Sequence, residues 1–123
     1  MTKKSQKAGC LFMVNKDLQV LKKIYDHINT VILYCSNCHS LDDFQADSMR
    51  VEACVFNLMQ IGELAKIALS DDIKSQISTI PWKQLYGMRN RIVHGYSGVD
   101  MHIIWDTIHE DLPMLKQEIE KYL

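Results

Sequence analysis

The sequence has no apolar run approaching the ~20 residues that span a bilayer as a helix, because charged or amide side chains break every hydrophobic stretch within a few positions. A soluble protein is therefore expected. No secretory leader is expected either. Lys3, Lys4 and Lys7 imitate its basic start and Ala8-Gly9-Cys10 imitates a lipoprotein cleavage site, but the ~7–15 apolar residues that belong between them are absent. This places the chain in the cytoplasm by expectation, with its four cysteines reduced rather than paired in a disulfide framework. Strand-like alternation, internal repeats and low-complexity segments are not found either. The most informative absence is that of Asp and Glu between Ile73 and Val99. That stretch holds Lys74, Lys83, Arg89 and Arg91, so it is strongly positive while the chain as a whole carries a formal charge of only −1. A phosphate-bearing partner should be drawn to it, whereas indiscriminate coating of nucleic acid is not expected of so balanced a chain.

With 123 residues and 47% hydrophobic content, the chain supports one packed core but not two. Residues 1–12 show no period and are expected to be a poorly ordered extension, leaving 13–123 as the domain. From Val14 a three- and four-residue recurrence through Leu18, Leu21, Ile24, Tyr25, Ile28, Val31 and Ile32 predicts a helix ending near Asn37. Ser40 with Asp43 resembles a capping arrangement for the next helical start, and Asp42, Asp43 and Asp47 read as solvated acids that favour a helix N-terminus. The stripe from Met49 to Ala68 predicts a long central helix, interrupted by Gly62 at a cost of ~1 kcal/mol relative to Ala. Close packing against another helix is the favoured reason for that glycine. Asp71 and Asp72 start a short helix running to about Ile77. Pro81 suits the first turn of a further helix carrying Trp82, Leu85, Tyr86, Met88, Ile92 and Val93, which Gly95, Ser97 and Gly98 end. The last helix runs from about Met101, with a kink or break at Pro113. The expected fold is an all-α antiparallel bundle of four to five helices. Cys54 reads as core, and Met49, Met59, Met88, Met101 and Met114 read as core filling.

Two groups of residues invite chemistry. Cys35-Ser36-Asn37-Cys38-His39 matches a c-type haem attachment pattern and half of a zinc site. Export and a second axial ligand are lacking for the first, and further ligands at ordered spacing for the second, so a helix end with two incidental thiols is the simpler account. No metal or cofactor is expected. The second group is Gly87-Met88-Arg89-Asn90-Arg91-Ile92-Val93-His94-Gly95-Tyr96, which gathers two guanidiniums, an amide, an imidazole and a phenol at a helix end inside the acid-free segment. Asn90 and His94 are four apart and share a helix face, so Asn90 is placed to orient His94. Arg89 and His94 lie about 140° apart around an ideal helix. They meet only if Arg89 reaches round, if the helix loosens before Gly95, or if a second subunit completes the site. Arginine offers a fork of donors to a phosphate, and histidine, with an ordinary pKa of ~6.5, exchanges protons near neutrality. RNA supplies its own nucleophile in the 2′-hydroxyl. On residue types alone, however, a helix end with a C-terminal His and surface arginines remains the stronger account.

Arg89-Asn90-x-x-x-His94-Gly95-Tyr96 resembles the Arg-x-x-x-x-His-x-Tyr motif of the HEPN superfamily, specifically the HepT-like toxins paired with minimal nucleotidyltransferase antitoxins. Ile61-Gly62-Glu63 with Ala65-Lys66 is similar to that family's central helix, Pro81-Trp82 through Met88 to its lead-in, and Trp105 with Leu112-Pro113 to its closing helix. The likeness runs from about Met13 to the C-terminus. It implies a metal-independent endoribonuclease in which Arg89 and His94 are catalytic and Asn90 supports them. It further implies that Tyr96 corresponds to the tyrosine to which the antitoxin adds AMP, and that the chain is a homodimer. Lys83 and Arg91 are the expected RNA-binding cations. The competing function is a non-catalytic helical partner or substrate-binding subunit of a nucleotidyltransferase.

Overall fold

The computed structural model describes residues 15–95 and 100–123, and these form helices joined by short turns with no strand among them. The expected extension over residues 1–12 lies outside the described residues. Helix α1 spans Asn15–Tyr34, α2 Leu41–Gln45, α3 Ser48–Glu63, α4 Asp71–Gln76, α5 Trp82–Gly95, α6 Met101–Asp106 and α7 Leu112–Glu120. The amphipathic stripe of α1 is buried at Leu21, Ile24, Ile28 and Val31, and α1 packs on α3, which packs in turn on α5, while α7 closes the bundle against α1. None of the described helices is long and apolar enough to cross a membrane.

The expected start at Ser40 is real, but it opens a short helix of its own. Ser40 Oγ accepts from the Asp43 N–H at 3.1 Å and Asp43 Oδ2 from the His39 N–H at 3.0 Å. A second cap, Asp47, accepts from the N–H groups of Met49 and Arg50 and launches α3. Helix α1 stops at Tyr34, three residues short of expectation. The Ser36 N–H tightens back to the Leu33 carbonyl, and Arg50 Nε donates to the Tyr34 carbonyl at 3.1 Å, a cation placed where the helix dipole favours one. Arg50 Nη1 also donates to the Asp43 carbonyl of α2. At the other end of α1, the buried Asp17 accepts from both the N–H and the hydroxyl of Ser70, which itself caps α4.

Helices α3 and α6 each run into one wide turn, Leu64–Ala68 and Thr107–Asp111, in which N–H groups reach carbonyls five residues back. The second of these is the break expected at Pro113. Proline has no N–H to donate and its ring crowds the carbonyl four residues earlier, here that of His109, so the register changes ahead of it. Cys54 is fully buried, as its apolar neighbours suggest, and Met59, Met88 and Met101 pack partly against the core. Met49 and Met114 do not. Both sit in the first turn of their helices on the outward face, at 79% and 44% exposure.

Gly62 is where α3 and α5 come closest. A Cβ built on it would fall 2.5 Å from Arg89 Cβ and 2.9 Å from the Leu85 carbonyl oxygen, both well inside contact distance and one of them backbone. The glycine therefore serves close helix packing, and the residue it admits is Arg89. Replacing Gly62 by Ala gains helix propensity of ~1 kcal/mol but forces the crossing apart, and overpacking of this kind costs about 1–3 kcal/mol. The expected result for Gly62→Ala is a net loss of stability in urea unfolding; a variant as stable as the parent would show that the crossing yields freely.

Candidate active site

Helix α5 is held at its start by the Trp82 indole, which donates to the carbonyls of Lys74 and Ile77, and along its length by the burial of Leu85 and Ile92. Those anchors fix its rotation, and with it the direction of each polar residue. Arg89 lies one turn beyond Leu85 and faces α3. Its side chain is 21% exposed, and Nε pairs with Glu63 Oε1 at 2.5 Å. Nη1 donates to Asn90 Oδ1 at 2.9 Å, while Nη2 makes no hydrogen bond among the described residues. The guanidinium is thus held at Nε and Nη1, with the donors of Nη2 left over.

The structure alters the reading of these residues in three ways. Asn90 was expected to orient His94, but its amide oxygen is taken by Arg89, so it acts on the guanidinium. Helix α5 does not loosen before Gly95, and no contact between Arg89 and His94 is found among the described residues. The two routes still open are a reach around the helix and completion by a second chain. Thirdly, the positive segment is not free of acids in space. Glu63, outside the segment in sequence, sits on Arg89, and Lys74 is occupied by the carbonyls of Ala65 and Lys66 and by Asp71. Sequence reasoning places Glu63 within a motif but gives it no role; the signal is Gly62 beside it, marking the close approach. His94 is exposed in the last turn of α5, and Tyr96 lies outside the described residues.

Lys83 and Arg91 are exposed and make no ion pair among the described residues. They lie on another side of α5, along a groove of about 450 Å³ between α5 and the α6–α7 helix, with Gly87, Met88 and Ile103 in its walls. Among the described residues a Cβ on Gly87 would meet nothing within 4 Å, so no packing among them calls for this second mid-helix glycine. Across the groove, the Asp111 carboxyl is pushed upward from the ordinary carboxylate range by burial and, secondarily, by Asp106. The Cys35–His39 motif turns both thiols inward and leaves His39 exposed, and among the described residues no three His, Cys, Asp or Glu gather as metal ligands.

Comparison with known proteins shows the family. The chain is 37% identical over 84 residues to a candidate RNase of Caldanaerobacter subterraneus subsp. tengcongensis, covering 68% of this chain and 74% of that one. It is 38% identical over 80 residues, 65% of this chain and 72% of the other, to a protein of Thermococcus cleftensis named as a candidate ribonuclease HepT. A candidate RNase of Methanocaldococcus jannaschii is 29% identical over 109 residues, 88% of this chain and 98% of its own. No solved structure gives a significant match. The family model described as ribonuclease HepT-like matches residues 17–122, nearly the whole helical bundle, and the chain belongs to the HepT-like ribonuclease family.

Proposed function

We propose that this chain is a metal-independent endoribonuclease toxin that cleaves RNA through the substrate's own 2′-hydroxyl. The observation that supports this reading best is Arg89, fixed by Glu63 and Asn90 with donors to spare, on a helix whose last turn presents an exposed His94. Attack of the 2′-oxygen on phosphorus forms a 2′,3′-cyclic phosphate and expels the 5′-oxygen. Charge builds on the phosphoryl oxygens in the transition state, and a guanidinium already immobilised stabilises it without reorganising first. His94 takes the 2′ proton or gives one to the leaving oxygen, since imidazole does both near neutral pH. One imidazole cannot easily do both in the same turnover. A homodimer that brings two Arg89–His94 sets to a shared cleft supplies the second, and it also resolves the angular separation of Arg89 and His94 on a regular helix.

Lys83 and Arg91 serve as phosphate contacts along the neighbouring groove. Regulation by a nucleotidyltransferase antitoxin follows the family pattern: AMP added to Tyr96, two residues beyond His94, places an anion and a purine against the site, countering the Arg89 field and blocking the phosphate path.

Purified protein is expected to cut RNA in excess EDTA and to leave 2′,3′-cyclic phosphate ends. His94→Ala and Arg89→Ala should each slow cleavage by about 10²-fold or more, with the folded bundle retained by circular dichroism. In the same assay Tyr96→Phe should remain active when made alongside the nucleotidyltransferase, whereas the parent chain so made should carry one AMP and be silent. Full activity of His94→Ala, or cleavage that needs added metal, would contradict the mechanism.

Lys83→Ala and Arg91→Ala should weaken RNA binding across sequences, and each should reduce the slope of log K against log salt by about 0.7–0.9. Unchanged slopes in a titration at several salt concentrations would remove the groove from the RNA path.

A further inference from the structure

The turn after α1 and the second turn of α3 bring three thiols together. Cys35 and Cys38 follow α1, Cys54 belongs to α3, and their exposures are 6%, 7% and 0%. Cys35 Sγ and Cys54 Sγ are in contact at 3.7 Å although the residues are 19 positions apart in sequence. All three are free thiols. Buried cysteines are usually inert small hydrophobes, so burial alone signifies nothing. Two further features distinguish this group. Cys35 and Cys38 line a groove of about 620 Å³ shared with Ile32, Ser36, His109 and Lys116, so a small solute can approach these two residues in the folded chain. Arg50, one turn before Cys54 on α3, is fastened beside them by its bonds to the Tyr34 and Asp43 carbonyls.

The three thiols are not equivalent. The contact with Cys54 holds the Cys35 thiol below its ordinary range, with the Arg50 charge helping against the opposing effect of burial. Cys54 is held well above the thiol range by its contact with Cys35 and by burial, and burial raises Cys38. Cys35 is therefore the first of the three to ionise, and the thiolate is the nucleophile in thiol chemistry.

We propose that Cys35 and Cys54 are a thiol-oxidation site, joined into a reversible intramolecular disulfide by hydrogen peroxide. The Cys35 thiolate attacks one peroxide oxygen, forming an S–O bond as the O–O bond breaks; the departing hydroxide takes up a proton as water, leaving a sulfenic acid. The Cys54 sulfur then attacks Cys35 Sγ. The S–S bond forms, the S–O bond breaks, and the hydroxide released carries away the Cys54 proton as a second water. Two thiols have lost two electrons and two protons, and peroxide has become two waters. The sulfurs must close from 3.7 Å to the ~2.05 Å of a disulfide, a movement that side-chain rotation at both cysteines can supply. The product ties the end of α1 to the middle of α3, and thiol exchange with an external dithiol returns the two thiols. The proposal rests on the thiol geometry and holds whatever the chain cleaves.

The test is a thiol map of the full chain: reduce and desalt, treat with hydrogen peroxide, block remaining thiols with N-ethylmaleimide, and digest with trypsin without reduction. Trypsin leaves Cys35 and Cys38 together in residues 24–50 and Cys54 in residues 51–66. The expected result is a cross-linked pair of these peptides with the maleimide on Cys38, reversed by dithiothreitol and accompanied by a melting temperature several degrees higher. Cys38→Ala should keep the cross-link and Cys54→Ala should lose it. Blocked thiols on both peptides, a Cys35–Cys38 bridge, a Cys38–Cys54 bridge or a cross-link between two chains would each overturn the proposal. Because the parent map decides the question, it stands even if a variant fails to fold.

Discussion

The close crossing of α3 and α5 at Gly62 is the constraint on which the rest of the site depends. With no side chain at this position, the backbone of one helix reaches the Leu85 carbonyl and the Arg89 stem of the other. Once the helices are that near, the residue after the glycine is bound to meet Arg89, and that residue is Glu63. The same crossing is reinforced just beyond Glu63. Helix α3 widens there at Leu64–Ala68, and carbonyls freed in the wide turn are taken by Lys74 Nζ and, at 3.5 Å, by the Tyr86 hydroxyl of α5. The wide turn is thus tied to the site helix at Tyr86, one turn before Arg89, and to α4 through Lys74.

Electrostatically, the outcome is a division of labour among cations that look alike in sequence. Lys74 is structural, serving carbonyls. Arg89 is clamped by an anion and an amide, so its geometry is secured while part of its field is cancelled. Lys83 and Arg91 retain theirs in solvent, where salt screens them and where they can contribute attraction over a distance but little positional precision. A catalytic group needs placement more than it needs net charge, because stabilisation that exists only in the transition state is what accelerates a reaction. On that reasoning the Glu63 pairing is compatible with catalysis by Arg89, and Lys83 and Arg91, without an ion pair among the described residues, are better suited to holding the substrate.

Much of this fold was legible in the residues. The stripe of α1, the cap at Ser40, the burial of Cys54, the tight packing at Gly62 and the break ahead of Pro113 each follow from periodicity or from the stereochemistry of a single side chain. The division of one expected helix start into α2 and α3 did not, because the cap at Asp47 uses the same residue type that also decorates solvated first turns. The wide turn after α3 carries no distinctive residue. Glu63 as the partner of Arg89, and Cys54 as the partner of Cys35, were hidden for a common reason: each pair joins segments far apart in sequence, and periodicity reports only which face is buried, not what it is buried against. Asn90 shows the complementary error. Its spacing from His94 was right for contact, but an adjacent guanidinium offered the amide oxygen a charged donor.

The most direct measurement of the central claim is the single-turnover rate of RNA cleavage by Arg89→Lys. Lysine keeps the charge at this position but gathers its three donors on one nitrogen, so it cannot reproduce the planar fork that spans Glu63 and Asn90 and leaves a separate nitrogen for a phosphate. If the fixed fork is what matters, the rate should fall by about 10²-fold, of the order seen when a single transition-state donor is removed. Cleavage within a few-fold of the parent chain would mean that positive charge alone suffices, and that the clamp built at the Gly62 crossing has no part in the chemistry.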